Sequence, residues 1–359
     1  MKNLIRDQKQ MTNKKIIIKG NLKQRSISTN KKVLDPNYIA GFVQADGSFH
    51  VALSKDKRYK WGLRLRPKFT LTQKENSAYV LEDIKNYFGC GRIDKNVKKG
   101  SKEYIVETNY ELETIIIPFF EKYPVYESKQ RALAILKEVI GQLKHKEHHF
   151  KSQFESMLHK IFNMSDNSNR TEEKRQALFE YLGWGEYKDK YIDTHEYQYP
   201  PFNGHFIMGL IDGDGSFHVT FHTNKVIRFA FQITQDRSEQ MLLYKIKDYF
   251  QCGGVDFEGA NIAKYRVTGT KDIQSHIIPF AEKYPLHTLK VHQYEAFKKA
   301  CDIFVSHSPL SDDDRLKIID LTYNIYEEGK KREMTKEEYI ISNFPNHPRA
   351  IILKNQIIE

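Results

Sequence analysis

Cysteine, long apolar runs and N-terminal acids are scarce in this chain, and each scarcity excludes something. There are three cysteines and no CxxC spacing, which argues against a disulfide framework or a zinc knuckle. Cys90 and Cys252 recur in matching contexts, YFGCG and YFQCG, where a free thiol serves as a compact buried hydrophobe. No apolar run approaches the roughly 18 residues of a membrane-spanning helix. No secretory signal is visible either, so no membrane partner is expected. Residues 1–34 hold ten Lys/Arg and a single Asp, so +9 of the formal +11 lies there and the remaining chain carries only about +2. This basic N-terminal extension reads either as a transit peptide, being acid-poor, or as a disordered arm, being lysine-rich and weakly amphipathic.

What the chain does have is repetition. Tyr38–His50 (YIAGFVQADGSFH) and Phe206–His218 (FIMGLIDGDGSFH) are near-copies, and their acids Asp46 and Asp214 lie 168 positions apart. Tyr87-Phe-Gly-Cys-Gly recurs as Tyr249-Phe-Gln-Cys-Gly, and the segment from Ile116 to Pro124 recurs from Ile277 to Pro285, at nearly constant offsets of 162 and 161. Two copies of one unit are therefore present. Each opens on a capped apolar helix, with Asp35-Pro36 or Asn203 at its start and Gly47 or Gly215 closing it as a C-cap glycine.

Period-two alternation follows the helix in both copies. Leu63, Leu65, Phe69 and Leu71 alternate with Arg64, Arg66, Lys68, Thr70 and Thr72; Phe229, Phe231 and Ile233 alternate with Arg228, Gln232 and Thr234. That pattern describes half-buried antiparallel strands with one polar face. The fold class expected is α+β, with two pseudo-twofold-related αββαββα repeats. Residues 1–34 form the extension, 35–150 the first repeat, 151–200 a helical linker, 201–330 the second repeat and 331–359 a charged, poorly patterned tail. Local charge is more informative than net charge: residues 55–68 carry seven cations and one anion, and Arg92 to Lys102 adds a second basic hairpin. A basic surface offset by acid elsewhere fits a directed nucleic-acid partner.

The twin helices can pack against one another. Ala40, Gly41 and Ala45 in one copy, with Gly209 and Gly213 in the other, would let the backbones approach closely. Asp46 and Asp214 then stand at helix C-termini, where the macrodipole disfavours a carboxylate, and two acids meeting there repel further. Divalent cations would neutralise such a cluster, and hard oxygen ligands suit Mg²⁺, with Mn²⁺ or Ca²⁺ able to substitute.

Ile39-Ala-Gly-Phe-Val-Gln-Ala-Asp-Gly47 and Ile207-Met-Gly-Leu-Ile-Asp-Gly-Asp-Gly215 resemble the two signature helices of monomeric, double-motif LAGLIDADG homing endonucleases. The resemblance extends over roughly residues 35–300. Copy one departs at the sixth letter, where Gln44 stands for the usual Asp and Asp212 keeps it. The resemblance implies that Asp46 and Asp214 are metal-binding catalytic acids, with the carbonyls of Ala45 and Gly213 as further ligands. It assigns Gln73, Gln235, Lys129 and Lys290 to ordering water and supplying basic groups near the scissile phosphates. Hydrolysis of a phosphodiester needs an activated water, a charge clamp and a stabilised leaving oxygen.

On this reading the sheets form a saddle on duplex DNA, their polar faces in the major groove, which admits a two-stranded ribbon. Arg64, Arg66, Lys68, Thr70, Arg228 and Gln232 are candidate base readers. Lys55, Lys57, Arg58, Lys60, Lys95, Lys98, Lys99, Lys225, Lys264 and Arg266 are candidate phosphate contacts, which position without specifying.

The function implied is a site-specific, metal-dependent DNA endonuclease. It would act as a monomer on a long asymmetric target, leave short 3′ overhangs and initiate intron homing. The Lys/Asn/Ile-rich composition points to an AT-rich organelle, mitochondrion before chloroplast. The alternative is an RNA maturase that binds its host group I intron to assist splicing, and a third reading is a DNA binder without activity, supported only by Gln44. An EF-hand is excluded because the twelfth position after Asp212 is Thr223. An aspartic protease is excluded because Gly follows each Asp where Ser or Thr is needed. His145, His148 and His149 read as a solvated helix face.

Overall fold

The computed structural model describes residues 33–96, 99–165, 170–307, 309–325 and 333–358. The N-terminal extension up to residue 32, and Lys98, lie outside the described residues.

The first repeat runs α1 (Pro36–Asp46), β1 (Gly47–Lys55), β2 (Leu63–Lys74), α2 (Tyr79–Phe88), β3 (Arg92–Asn96) and β4 (Ser101–Val106). It continues through α3 (Asn109–Glu111) and a π-helical turn, Leu112–Ile116, into α4 (Ile117–Lys122), then α5 (Ser128–Lys144). Helices α6 (Lys151–Phe162) and α7 (Glu172–Tyr181) lead to a connector without regular structure over 186–203. The second repeat gives α8 (Gly204–Asp214), β5 (Gly215–Phe221), β6 (Ile227–Asp236), α9 (Gln240–Phe250), β7 (Gly254–Glu258) and β8 (Ile262–Val267). After it come α10 (Thr270–Asp272), the π-helical turn Ile273–Ile277, α11 (Ile278–Lys283) and α12 (Lys290–Ser306). Helices α13 (Asp312–Thr322), α14 (Lys336–Asn343) and α15 (Pro348–Ile358) close the chain.

Both sheets are four-stranded and antiparallel, in orders β1-β2-β4-β3 and β5-β6-β8-β7. Their apolar faces carry matching aromatic clusters. Phe49, Phe69, Phe88, Tyr104 and Phe120 pack in the first repeat, and Phe217, Phe231, Phe250, Tyr265 and Phe280 in the second. Each fully buried Phe contributes roughly 1.5–3 kcal/mol. Tyr104 and Tyr265 donate to the carbonyls of Cys90 and Cys252, both at 3.1 Å, so the repeated cysteines mark repeated backbone anchors.

Helices α1 and α8 form the centre. Asp35 accepts from the Asn37 N–H and Asn203 from the His205 N–H, both at 2.8 Å, so each helix starts on the expected cap. The helix ends differ from expectation. Gly47 and Gly215 are extended, at φ −84° and −78°, not left-handed. Glycine is needed there for closeness, because a Cβ would meet the Val43 carbonyl oxygen at 2.7 Å or the Ile211 carbonyl oxygen at 2.6 Å. Between the helices the approach is tighter still. A Cβ on Gly41 would sit 1.8 Å from the Phe206 carbonyl oxygen, and one on Gly209 2.1 Å from that of Tyr38.

Residues 333–358 are not a featureless tail. A capping box, Thr335 with Glu338, starts α14, and Tyr339, Ile340, Phe344 and Ala350 build a second small core with Leu316, Ile319 and Tyr323. This core packs on Phe221 at the end of β5, and Tyr339 donates to the His222 carbonyl at 2.8 Å. Charged residues hid it from a composition-based reading, because its apolar positions are few and short-ranged.

Candidate active site and nucleic-acid interface

The meeting of α1 with α8 brings Asp46 and Asp214 to adjacent helix ends. A Cβ on Gly213 would touch Ala45 Cβ at 2.2 Å and lie 3.1 Å from Asp46 Oδ2. Strand β2 ends beside the first acid, and Gln73 Nε2 donates to Asp46 Oδ2 at 2.5 Å. Strand β6 repeats this, with Gln235 Nε2 on Asp214 Oδ2 at 2.6 Å. The first turns of α5 and α12 supply the cations. Lys129 Nζ donates to the Gly47 carbonyl at 2.5 Å, and Lys290 Nζ to those of Ile211 and Gly213 at 2.8 and 2.9 Å. Six predicted residues thus converge, three from each repeat.

The electrostatics show how costly the arrangement is without a counterion. Burial first, then the charge of Asp214, push the Asp46 carboxyl up to about 7, against the pull of Lys290, Lys129 and Gln73. Burial also raises Asp214, while Gln235 and the two lysines oppose it. Repulsion between like charges acts on both members of the pair. Burial in turn lowers both lysines. Among the described residues no donor reaches Oδ1 of either acid. A divalent cation would relieve this cluster, and two carboxylates with neighbouring carbonyls form the hard oxygen set that such an ion prefers. The Gly213 carbonyl, an expected ligand, accepts from the Lys290 ammonium at 2.9 Å, which takes one of its two lone pairs.

Gln44 and Asp212, the divergent sixth letters, are buried latches. Asp212 accepts from Tyr38 Oη at 2.7 Å, His287 N at 2.5 Å, Thr288 N at 3.0 Å and Thr288 Oγ1. Gln44 accepts from Tyr126 N at 2.7 Å and donates to the Tyr126 carbonyl. The tyrosine that serves Asp212 is Tyr38 on the opposite helix, whose own counterpart is Phe206. Without that hydroxyl an amide, which supplies its own donor, suits position 44. The substitution changes a structural group and leaves the acids at the helix ends untouched.

The polar sheet faces carry the predicted cations, with qualifications. On β2, Arg64, Arg66 and Lys68 stand opposite Ser54, Ala52 and His50 of β1. Thr70 does not reach the surface: it is 6% exposed, between Ser48 and Ile105. Many cations hold internal partners: Lys68 pairs with Glu107 at 2.9 Å, Lys95 with Glu75 at 2.6 Å, Arg58 with Asp56 at 2.8 Å, Arg266 with Asp256 at 3.8 Å, and Lys264 with Glu258. Lys55 lies over Tyr181, Lys60 over Trp61 and Arg64 over Tyr59. Lys57, Lys99 and Arg228 are exposed; Gln232 and Arg66 are half-buried. Lys225 pairs with Asp312 at 2.6 Å and lies over Phe344, tying the β5–β6 hairpin to the C-terminal helices.

Sequence reasoning missed Ser48, His50, Ser216 and His218, which share the polar face nearest the acids. Ser48 Oγ meets His50 Nδ1 at 3.3 Å, and Ser216 Oγ meets His218 Nε2 at 2.7 Å. Burial and neighbouring cations hold both imidazoles below their ordinary range, His50 at about 4. The signal was present in the repeated Ser-Phe-His that follows each Asp-Gly.

A family model described as LAGLIDADG endonuclease matches residues 39–140 and 207–301. The chain is 28% identical over 291 residues to "Probable intron-encoded endonuclease 2" of Neurospora crassa, covering 80% of this chain and 64% of that protein. It therefore spans about two thirds of that relative's length. Among solved structures it resembles I-SmaMI bound to uncleaved DNA target with calcium ions, at TM-score 0.72 and 26% identity, covering 82% of this chain and 100% of that one. It also resembles the I-LtrWI LAGLIDADG homing endonuclease bound to target DNA, at TM-score 0.73 and 27% identity, with 82% and 98% covered. Two matched regions at the two packed helices, one in each repeat, place this chain in the LAGLIDADG endonuclease family.

Proposed function

We propose that this chain is a site-specific endonuclease that cuts both strands of a long, asymmetric DNA duplex by divalent-cation-dependent hydrolysis, initiating homing of its intron. The observation that carries this is the convergence of two Asp–Gln–Lys sets, one per repeat, at a single helix junction. Asp46 and Asp214 would hold the cations, Mg²⁺ in the cell, which would supply a lowered water pKa and charge neutralisation at phosphate. Gln73 and Gln235 fix the rotamers of the acids and leave one oxygen of each open. Lys129 and Lys290 place ammonium groups beside the acids, where they can meet phosphate oxygens and the charge that develops in the transition state.

The basic sheet faces position the duplex. The Lys95–Glu75 pair is exposed on both sides, and such pairs are worth only about 0–1 kcal/mol, so a phosphate can replace Glu75 as the partner of Lys95. One chain carries both half-site readers, so the active form is a monomer. The chain's composition supports expression from a mitochondrial intron. The inactive-binder reading loses its basis, because Gln44 serves a buried latch.

Incubation with Mg²⁺ and an intronless target library tests the proposal. A unique double-strand cut with short 3′ overhangs is expected, and Asp46→Asn or Asp214→Asn should abolish it while affinity for DNA is retained. Tight binding to the host intron RNA without any DNA cutting would favour the maturase instead.

A further inference from the structure

Lys129 and Lys290 occupy equivalent places, but their supports are not equivalent. Glu127 and Glu239 lie outside the Asp–Gln–Lys sets and are both buried, at 4% and 6% exposure. Glu127 immediately precedes α5, and Glu239 immediately precedes α9. Each caps the other's helix. Leu242 N, in the first turn of α9, donates to Glu127 Oε1 at 3.2 Å, while Ser128 N, at the start of α5, donates to Glu239 Oε1 at 3.3 Å. Ser128 Oγ donates to the same Glu239 oxygen. Neither helix has a side-chain cap from its own N-cap residue, so these carboxyl oxygens supply acceptors for N–H groups that a helix N-terminus leaves unpaired.

Position 127 is also strained, with φ 50° and ψ −127° in a residue with a side chain. Such backbone costs of order 1–3 kcal/mol and persists where the surroundings over-determine it. The remaining oxygens, Glu127 Oε2 and Glu239 Oε2, are buried without an N–H or O–H donor. The two carboxyls are buried at one junction between the repeats, where burial raises both. Facing the pair are Lys129 on α5, Ser128 beside it and Tyr199 from the connector, whose hydroxyl donates to Glu127 Oε1 at 3.1 Å. Lys245 lies over the Tyr199 ring.

Among the described residues the symmetry-related positions, which would serve Lys290, hold no such pair. The counterparts of Glu239 and Glu127 are Ser77 and Thr288, and Thr288 is held by Asp212 of its own repeat. We propose that Glu239, with Glu127, is a cross-repeat positioning pair for Lys129, so that cutting of one DNA strand depends on a reciprocal capping of α5 and α9 that the other strand's machinery lacks.

Physical support comes from two further facts. Burial lowers the Lys129 ammonium, and the charge of Glu239 leads those that oppose the loss, ahead of Asp214 and Asp46. Burial, then the charge of Glu239, pushes Glu127 up to about 8. An acid raised in the folded state contributes most while protonated, so the latch is intact below about 8. It is lost as pH rises through that value and two buried negative charges face one another.

This inference rests on the endonuclease reading. The test is single-turnover cutting of a duplex with each strand labelled separately, at saturating protein and Mg²⁺, from about pH 6.5 to 9.5. Lys129→Met identifies the strand that Lys129 serves. Glu239→Gln is expected to slow that strand about tenfold or more with unchanged DNA affinity and little effect on the other strand. The wild-type rate on the same strand should fall above about pH 8, whereas Glu127→Gln, whose amide donates permanently, should keep it flat. Ser77→Ala should leave both rates unchanged. Equal slowing of both strands by Glu239→Gln, or no slowing of either, would overturn the positioning role. Failure of the wild type to cut at all would instead sink the endonuclease reading.

Discussion

Asp46 is held in a state that water would not select, since burial and then Asp214 move its carboxyl from 3.8 to about 7. The sign of the consequence is definite. A raised acid favours the folded state while protonated, so this advantage fades as pH climbs from about 4 to 7. At about 1.4 kcal/mol per unit the full effect is at most roughly 4 kcal/mol. Metal-free Asp46→Asn protein should therefore melt higher than wild type at pH 8, with the two close together at pH 5. Adding Ca²⁺ should raise the wild-type melting temperature at pH 8 far more than at pH 5, and should do little for the variant. Identical melting curves for both proteins at both pH values would show that no cation-relieved repulsion exists there.

At the scale of elements, the α1–α8 junction decides whether the two acids meet. Gly41 faces a backbone carbonyl that a methyl group would meet at 1.8 Å, so Gly41→Ala must force the helices apart. A loss of about 1–3 kcal/mol or more is expected in urea melts, with slower cutting of both strands. Gly141 on α5 is the contrast, with nothing within 4 Å of its added Cβ. Gly141→Ala should stabilise by up to about 1 kcal/mol through helix propensity. The order of elements in each repeat was legible because apolar periodicity and caps are local signals. The C-terminal helices were not, because α14 and α15 gain their stability from Tyr323 and Phe221, partners distant in sequence.

For the whole molecule, the free surface is less basic than a count of its lysines implies. Lys68, Lys95 and Lys264 are engaged by acids of their own sheets or of a neighbouring turn, and Lys225 serves the C-terminal helices. DNA binding should weaken with salt at a log–log slope of about −0.9 per neutralised phosphate. Lys57→Ala and Arg228→Ala, at exposed cations without an acid partner among the described residues, should each lower that slope by about one. Lys225→Ala should leave the slope unchanged and lower stability instead. A slope that responds to Lys225 as strongly as to Lys57 would show that Lys225 contacts phosphate.

The sequence by itself determined the duplication, the capped apolar helices and the alternation of the strands, which follow from local periodicity or from motifs that occur twice at matching positions. The six residues that converge at the helix ends came from the family resemblance that the repeated motifs carry. Only the tertiary structure decided which groups answer one another across the pseudo-twofold axis. Tyr38 reaches Asp212, Lys225 reaches Asp312, and Glu127 and Glu239 cap helices 111 to 115 positions away. Such partners leave no trace in spacing, because a buried polar group is satisfied by whatever donor the packed neighbour brings.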